Sequence, residues 1–376
     1  QQVRFDPATQ QTIDVVLFVN GLPLATIELK NTYTGQQATH AIKQYMKDRK
    51  PNRNTPLIQF NQRALVHFAA DTAECWMTTQ LAGDKTYFLP FNQGNHGRKG
   101  NPVAENDYST SYLWKAVWQK DAWLDILQNY ILLEKDAPTE PWRNGRLIFP
   151  RYHQWQCVRR LVAASRQEPR NYLNQHSAGS GKTHTISWTA HQLSTLHGDN
   201  NEAVFGGVLV ISDRRNLDKQ LQDAISGIDR KKGVVECITT GNSESKSAQL
   251  RKALKDNTRI IVTTLQTFGA LLASRDFETS GKRYAVIVDE AHSSQSGKAA
   301  AGVRALLGDA EQVDSEALQD LITNQIKRRG PQSNLNFYAF TATPKPKTLE
   351  LFGDISAEGL PAPFSHYSMR QAIDEG

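Results

Sequence analysis

Residues 174–185 read NQHSAGSGKTHT. At their centre Gly179-Ser180-Gly181-Lys182-Thr183 has the composition of a phosphate-cradling loop. Tyr172-Leu173-Asn174-Gln175-His176 ahead of it predicts a short strand, and the run from Thr185 to Ala190 predicts a helix. Strand, Gly-rich turn and helix is the setting such a loop needs. Glycines let successive backbone N–H groups turn toward an anion at a helix N-terminus. Lys182 would then reach the β and γ phosphates of a nucleotide, and the Thr183 hydroxyl would hold Mg²⁺. One position departs from the G-x-x-x-x-G-K-[ST] pattern: His176 stands where its first Gly belongs. Alone, the stretch also reads as an ordinary Gly/Ser turn.

A second stretch narrows the choice. Residues 284–292 read YAVIVDEAH. The apolar, β-branched run Ala285–Val288 suits a buried parallel strand. It delivers Asp289 and Glu290 to the strand's C-terminal end, where open α/β sheets bind ligands. Asp289 would hold Mg²⁺ through water, and Glu290 would act as general base on the attacking water.

GSGKT followed by DEAH resembles the superfamily 2 helicases and translocases. Phe340-Thr341-Ala342-Thr343-Pro344 looks like their third motif, and the resemblance implies that Thr341, Ala342 and Thr343 couple ATP hydrolysis to movement on nucleic acid. Val208–Arg214 and Ile260–Gln266 look like the strand-end motifs that touch the DNA backbone, with Arg214 and Thr264 as the implied contacts. Gln154 is similar to the adenine-contacting glutamine upstream of the loop. The ordered set covers roughly residues 150–376 and implies an α/β fold: a RecA-like P-loop domain built on a parallel sheet, with ATP and Mg²⁺ as cofactors.

The rest of the chain carries different chemistry. Its 376 residues suit two or three domains, and 39% hydrophobic content is enough for real cores. A net charge of +6 suits a polyanionic partner. Cys75, Cys157 and Cys237 are scattered thiols with neither zinc spacing nor C-x-x-C, which suggests a reducing compartment. No apolar run has the length of a membrane span, and no signal peptide is visible. The first residues read as mid-domain, so a fragment is expected.

Thr12–Asn20 reads as a strand, Asn20-Gly21 as a hairpin turn, and Leu24–Lys30 as the returning strand. Glu28 and Lys30 are two apart and share a face, and with suitable register Asp14 joins them. Two carboxylates bind a hard divalent cation, and a lysine beside them can orient water or steady a pentavalent phosphate. The same residues are also compatible with an exposed ion pair. Asp, hairpin, then Glu-x-Lys resembles the PD-(D/E)xK nuclease core, a mixed sheet flanked by helices. DVVLFVNGLPLATIELKN looks like the motor subunit of type I restriction endonucleases, in which such a nuclease precedes a superfamily 2 translocase. The resemblance implies Asp14, Glu28 and Lys30 as catalytic residues, with Asp14 and Glu28 as metal ligands. Family members often carry Q-x-x-x-Y in the following helix; here Tyr45 is present, but Ala41 takes the Gln position.

A helix is expected over about residues 35–49, its Lys43, Lys47, Arg49 and Lys50 placed to follow phosphates or simply to be solvated. Leu57–Phe60 and Ala64–Ala69 read as further strands, and 91–107 as a polar loop. Trp114, Trp118 and Trp123 at helical spacing over 111–134 read as core or inter-domain packing. Asp136–Pro141 reads as a linker, 241–246 and 345–347 as surface loops, 309–329 as an exposed helix, and Gly353 onward as a poorly patterned tail.

These readings give a nuclease-like domain over 1–135, a linker over 136–150 and a first motor lobe over 151–376. No second set of motor motifs follows, so the chain as given is expected to hold nucleotide weakly and turn it over poorly. The implied whole is a prokaryotic cytoplasmic R subunit, a type I site-specific deoxyribonuclease. It would pump double-stranded DNA with ATP and cut it with Mg²⁺, its partners being methyltransferase and specificity subunits. Another nuclease–helicase fusion would share both sites without a methyltransferase partner. A DNA-binding or assembly module would keep the folds without the chemistry.

Overall fold

A computed structural model describes residues 1–134, 145–167, 170–212, 219–228, 233–239, 244–273, 281–289, 334–356 and 359–376. The 136–141 linker, the 309–329 helix, Arg214 and Glu290 lie outside the described residues. The chain forms two compact units, residues 1–155 with 373–376, and residues 156–372. The division falls within the helix Tyr152–Ser165.

The first unit is built on a five-stranded mixed sheet. Its order is Val15–Val19, Leu22–Leu29, Val66–Ala70, Cys75–Thr78 and Leu89–Pro90. The first two strands form the expected hairpin. Asn20 and Gly21 both have positive φ, 50° and 82°, which is the backbone a two-residue turn needs to match strand twist. The helix Ala38–Lys47 carries the chain across to Val66–Ala70, which pairs parallel with Leu22–Leu29. This helix buries Ala38, Ala41 and Tyr45. Ala41 and Tyr45 pack in a core with Ile13, Val16, Leu57 and Ile58.

Leu57–Phe60 is not a strand. Leu57 and Ile58 are buried, but the segment is a series of turns fixed by Asn52 and Thr55, with Thr55 Oγ1 accepting from Asn52 N–H at 2.8 Å. Apolar side chains here fill the core from a turn, which periodicity cannot tell from a strand. Of the tryptophans, Trp123 is buried and packs on Phe149, Trp118 packs on Phe68, and Trp114 is 41% exposed. The polar stretch after Phe91 is ordered by amides: Asn101 Nδ2 donates to Ala73 O at 2.8 Å and to Asn92 Oδ1 at 2.9 Å.

The second unit is a seven-stranded parallel sheet. Its order is Val235–Cys237, Ile260–Thr264, Gly207–Ser212, Tyr284–Asp289, Leu335–Thr341, Tyr172–His176 and Ser365–Tyr367. Alternate residues of each strand feed two cores. Leu209, Ile211, Val286 and Ala339 face Leu265 and Phe268. Val208, Val210, Ile287 and Tyr338 face Ile186, Leu193 and Ile225. A sheet covered on both faces by helices explains why its strands are apolar throughout.

The segment after Gly353 is patterned after all. Ser365–Tyr367 joins the sheet beside the Tyr172–His176 strand, Asn174 opposite Ser365. Three residues are too few to announce a strand, and the pairing is made by a neighbour far away in sequence. Pro346 and Lys347, expected in a surface loop, open the helix Pro346–Phe352, with Lys345 as its extended N-cap and Pro at a position whose N–H needs no partner.

Candidate nuclease and nucleotide sites

The hairpin register pairs Val15 with Ile27 and Val16 with Thr26. One further step places Asp14 opposite Glu28. Asp14 Oδ2 accepts from the Leu29 N–H at 2.8 Å, and Oδ1 accepts from Gln2 Nε2 at 3.1 Å. Glu28 is fully buried. Its Oε1 accepts from Arg49 Nε at 2.8 Å, and its Oε2 is buried with no hydrogen-bond partner among the described residues. Burial pushes the Glu28 carboxyl up to about 7; Arg49 pulls it down, and the neighbouring Asp14 raises it. Lys30 is half-buried, two residues past Glu28, and its N–H continues the ladder to Ala70 O at 2.8 Å.

This donor set fits one small divalent cation. A buried carboxylate oxygen with open lone pairs beside a second carboxylate is what a hard ion takes, the rest of its shell being water. Among the described residues no group of three or more His, Cys, Asp or Glu converges as a metal site.

Behind the carboxylates lies a buried polar chain that sequence reading did not find. Tyr45 Oη lies 2.8 Å from Thr26 Oγ1, which lies 2.7 Å from His67 Nδ1. Burial raises the Tyr45 phenol and lowers the His67 imidazole to about 3. Arg49 was missed in a different sense. A helix-end Arg among lysines suggests a solvated or phosphate-facing side chain, yet Arg49 is 5% exposed and reaches Glu28. Its position four residues after Tyr45, on the buried side, was the available signal.

In the second unit the described candidates lie at the C-terminal ends of the parallel strands or in the segments that directly follow them. Gly179, Ser180 and Gly181 follow the Tyr172–His176 strand, and the helix Lys182–Ser194 starts directly after them. Gly179 and Gly181 have φ of 75° and 79°, the left-handed region that glycine enters freely. Lys182 Nζ donates to His176 O at 3.4 Å, and Thr183 is half-buried one residue into the helix. His176, in place of the pattern's Gly, is buried and lies 2.9 Å from Ser365 Oγ through Nε2. The position thus serves the junction with the last strand. Burial and the nearby Lys182 hold this imidazole down to about 3.

Asp289 ends the strand Tyr284–Asp289 at the same end of the sheet, and Thr341 ends the adjacent strand Leu335–Thr341. Thr341 is buried and accepts from the Thr343 N–H at 3.3 Å; Ala342 lies between them. Thr264 ends Ile260–Thr264, and its buried hydroxyl lies 3.0 Å from Thr267 Oγ1, capping the helix Leu265–Ala273. Gln154 lies in the first unit, where its Oε1 accepts from the Arg151 N–H at 2.8 Å.

Residues 153–376 match the family described as SWI2/SNF2 ATPase. The chain belongs to that family. Residues 1–86 match the type I restriction enzyme R protein N terminus, so the two parts stand in the order of a type I R subunit. Two curated relatives agree. A type I restriction enzyme endonuclease subunit from Staphylococcus saprophyticus (SsaAORF53P) is 26% identical over 79% of this chain and 29% of its own length. The HindI endonuclease subunit from Haemophilus influenzae is 24% identical over 100% of this chain and 33% of its own. The chain thus spans about a third of the length of the curated relatives it matches. Among solved structures, phage T4 UvsW aligns over 60% of this chain and 34% of its own, at 14% identity and a TM-score of 0.34. Among the described residues no helix is long and apolar enough to cross a membrane.

Proposed function

We propose that this chain is the nuclease and first motor part of a type I R subunit, which moves duplex DNA with ATP and cuts it with a divalent metal, Mg²⁺. The observation that carries the reading is that half-buried Asp14 and buried Glu28 stand side by side on one hairpin, in a chain that also holds a Gly-rich loop, Asp289 and Thr341 at the C-terminal end of one parallel sheet. The nuclease-like and ATPase family matches support it, as do relatives named as restriction endonuclease subunits.

In the nuclease part, Asp14 and Glu28 would hold the metal. When bound, Mg²⁺ would stabilise the negative charge that builds up on the phosphate and make a bound water more acidic. Glu28 offers Oε2, and Asp14 is oriented by the Leu29 N–H. Lys30, at the mouth of the strand, would orient the attacking water or balance charge on the phosphate oxygens. In the motor part, the N–H groups around Gly179–Gly181 and the N-terminus of helix Lys182–Ser194 would cradle the triphosphate. Lys182 would meet the β and γ phosphates, and Thr183 and Asp289 would hold the nucleotide's Mg²⁺. Glu290 is proposed as the base for hydrolysis, and Thr341–Thr343 as the link to movement. Methyltransferase and specificity subunits are the proposed partners, since no base-reading motif is visible in this chain.

The test uses the full-length subunit with those partners. Glu28→Ala should abolish plasmid cleavage and keep DNA-stimulated ATP hydrolysis, while Lys182→Ala should lose both. Cleavage by Glu28→Ala would remove the nuclease assignment, and undiminished activity of Lys182→Ala would remove the motor one.

A further inference from the structure

We infer that Arg49 is a positioning residue that makes Glu28 a one-oxygen metal ligand. The inference rests on the nuclease reading above and adds a residue to it. Arg49 stands two residues past the helix Ala38–Lys47 and is 5% exposed. Its guanidinium divides its donors between two places. Nε donates to Glu28 Oε1 at 2.8 Å, and Nη2 donates to Thr12 O, also at 2.8 Å. Thr12 lies two residues before Asp14. One rigid planar group thus ties the Glu28 carboxylate to the backbone that leads into the other acidic residue. The Phe5 ring lies under it, 5.1 Å from Cζ.

The base of the Arg49 arm is fixed as well. Asp71 Oδ2 accepts from the Ala38 N–H at 2.7 Å where its helix starts, and Tyr45 Oη lies 2.8 Å from Thr26 Oγ1 near the helix's end. Thr26 shares the strand and face of Glu28. Helix, strand and guanidinium therefore form a closed frame around one carboxylate.

The pairing differs from a structural Arg–carboxylate fork, in which two parallel N–H groups take both oxygens. Here one oxygen is taken, while Oε2 is buried with no hydrogen-bond donor among the described residues and the Asp14 carboxylate lies beside Glu28. Leaving a buried carboxylate oxygen unmatched is unfavourable unless something else fills it. With Oε1 held, the carboxylate cannot rotate to chelate, so Oε2 alone points to a cation shared with Asp14. Groups that orient ligands in this way commonly change metal affinity by about 10–100-fold when removed. Lys cannot replace Arg49 fully, because a single ammonium lacks the fork that spans Glu28 and Thr12 O together.

The experiment uses the full-length subunit, with Arg49→Met, Arg49→Lys and Glu28→Ala compared to wild type. Mn²⁺ binding is measured by calorimetry on the subunit. The Mg²⁺ needed for half-maximal plasmid cleavage and the DNA-stimulated ATP hydrolysis are measured in the assembled enzyme. Arg49→Met should weaken Mn²⁺ binding and raise the Mg²⁺ requirement, each by about tenfold or more, with ATP hydrolysis unchanged. Arg49→Lys should fall between. Mn²⁺ binding and Mg²⁺ requirement of Arg49→Lys within about twofold of wild type, while Glu28→Ala is inactive, would overturn the role of Arg49 and leave the nuclease reading standing. This comparison holds even if Arg49→Met fails to fold, since the lysine keeps a charge beside Glu28. Cleavage by Glu28→Ala would instead remove the reading beneath it.

Discussion

Asp14 Oδ2 accepts the Leu29 N–H at 2.8 Å, so one acidic side chain is fastened to the main chain of the strand that carries the other. The bond orients Asp14 without any contribution from a cation. Asp14→Asn keeps a carbonyl oxygen for Leu29 and should fold with a melting temperature near wild type, yet lose cleavage with the charge. Asp14→Ala leaves that N–H without its acceptor and should also lower stability by about 1 kcal/mol. Thermal melts beside a nicking assay separate the two effects; equal melts for Asn and Ala would show that the bond contributes nothing.

Gly179 has φ of 75°, and an added Cβ would meet nothing within 4 Å. Gly179→Ala therefore tests backbone conformation without a clash. A left-handed L-residue costs roughly 1–2 kcal/mol, so nucleotide binding should weaken by about tenfold if the loop keeps this shape around phosphate. Titration with a fluorescent ATP analogue reads the change. Wild-type affinity would mean that the bound loop does not need positive φ at this position.

His67 is fully buried, with its pKa lowered to about 3 from an ordinary 6.5. The folded state thus binds the proton less readily than the unfolded chain. Its stabilising contribution is complete above pH 6.5 and is lost as pH falls toward 3. The loss should reach roughly 2 kcal/mol at pH 5, from the value of about 1.4 kcal/mol per pKa unit. Melting temperatures of wild type and His67→Gln measured from pH 7 to 5 should converge on acidification; parallel curves would refute the linkage.

Ala41, four residues before Tyr45 where the resemblance implies a Gln, is fully buried in a core with Tyr45, Leu57 and Ile58. Ala41→Gln must force a longer side chain and an unmatched amide into that core. It should lower stability by about 1–3 kcal/mol rather than improve cleavage. A denaturant melt with a cleavage assay checks both; a stable variant that cuts faster would show that the site has room for the glutamine.

Much of the fold was legible because its signals are local. Asn20-Gly21 turns the hairpin through its own backbone preferences. The apolar runs Gly207–Ser212, Ile260–Thr264 and Tyr284–Asp289 are buried parallel strands, as a sheet covered on both faces requires. The Gly-rich loop lies between strand and helix where its spacing placed it. The misreadings share one cause. Leu57–Phe60 looks apolar because its side chains are buried, not because its backbone pairs. Ser365–Tyr367 looks featureless because its partner, Tyr172–His176, lies almost two hundred residues earlier.

By itself, then, the order of residues determined a mixed-sheet hairpin with Asp14, Glu28 and Lys30, and a parallel-sheet ATPase fold with its Gly-rich loop. Those depend on steric rules and periodicities that act over a few neighbouring residues. Tertiary structure alone decided that Glu28 is buried with one oxygen taken by Arg49 and one left with no hydrogen-bond donor among the described residues. It also decided that Tyr45, Thr26 and His67 form one chain behind it, and that His176 serves the last strand through Ser365. These contacts join residues 19 to 189 positions apart. Burial and hydrogen-bond completion select them only once the sheets have brought those residues together.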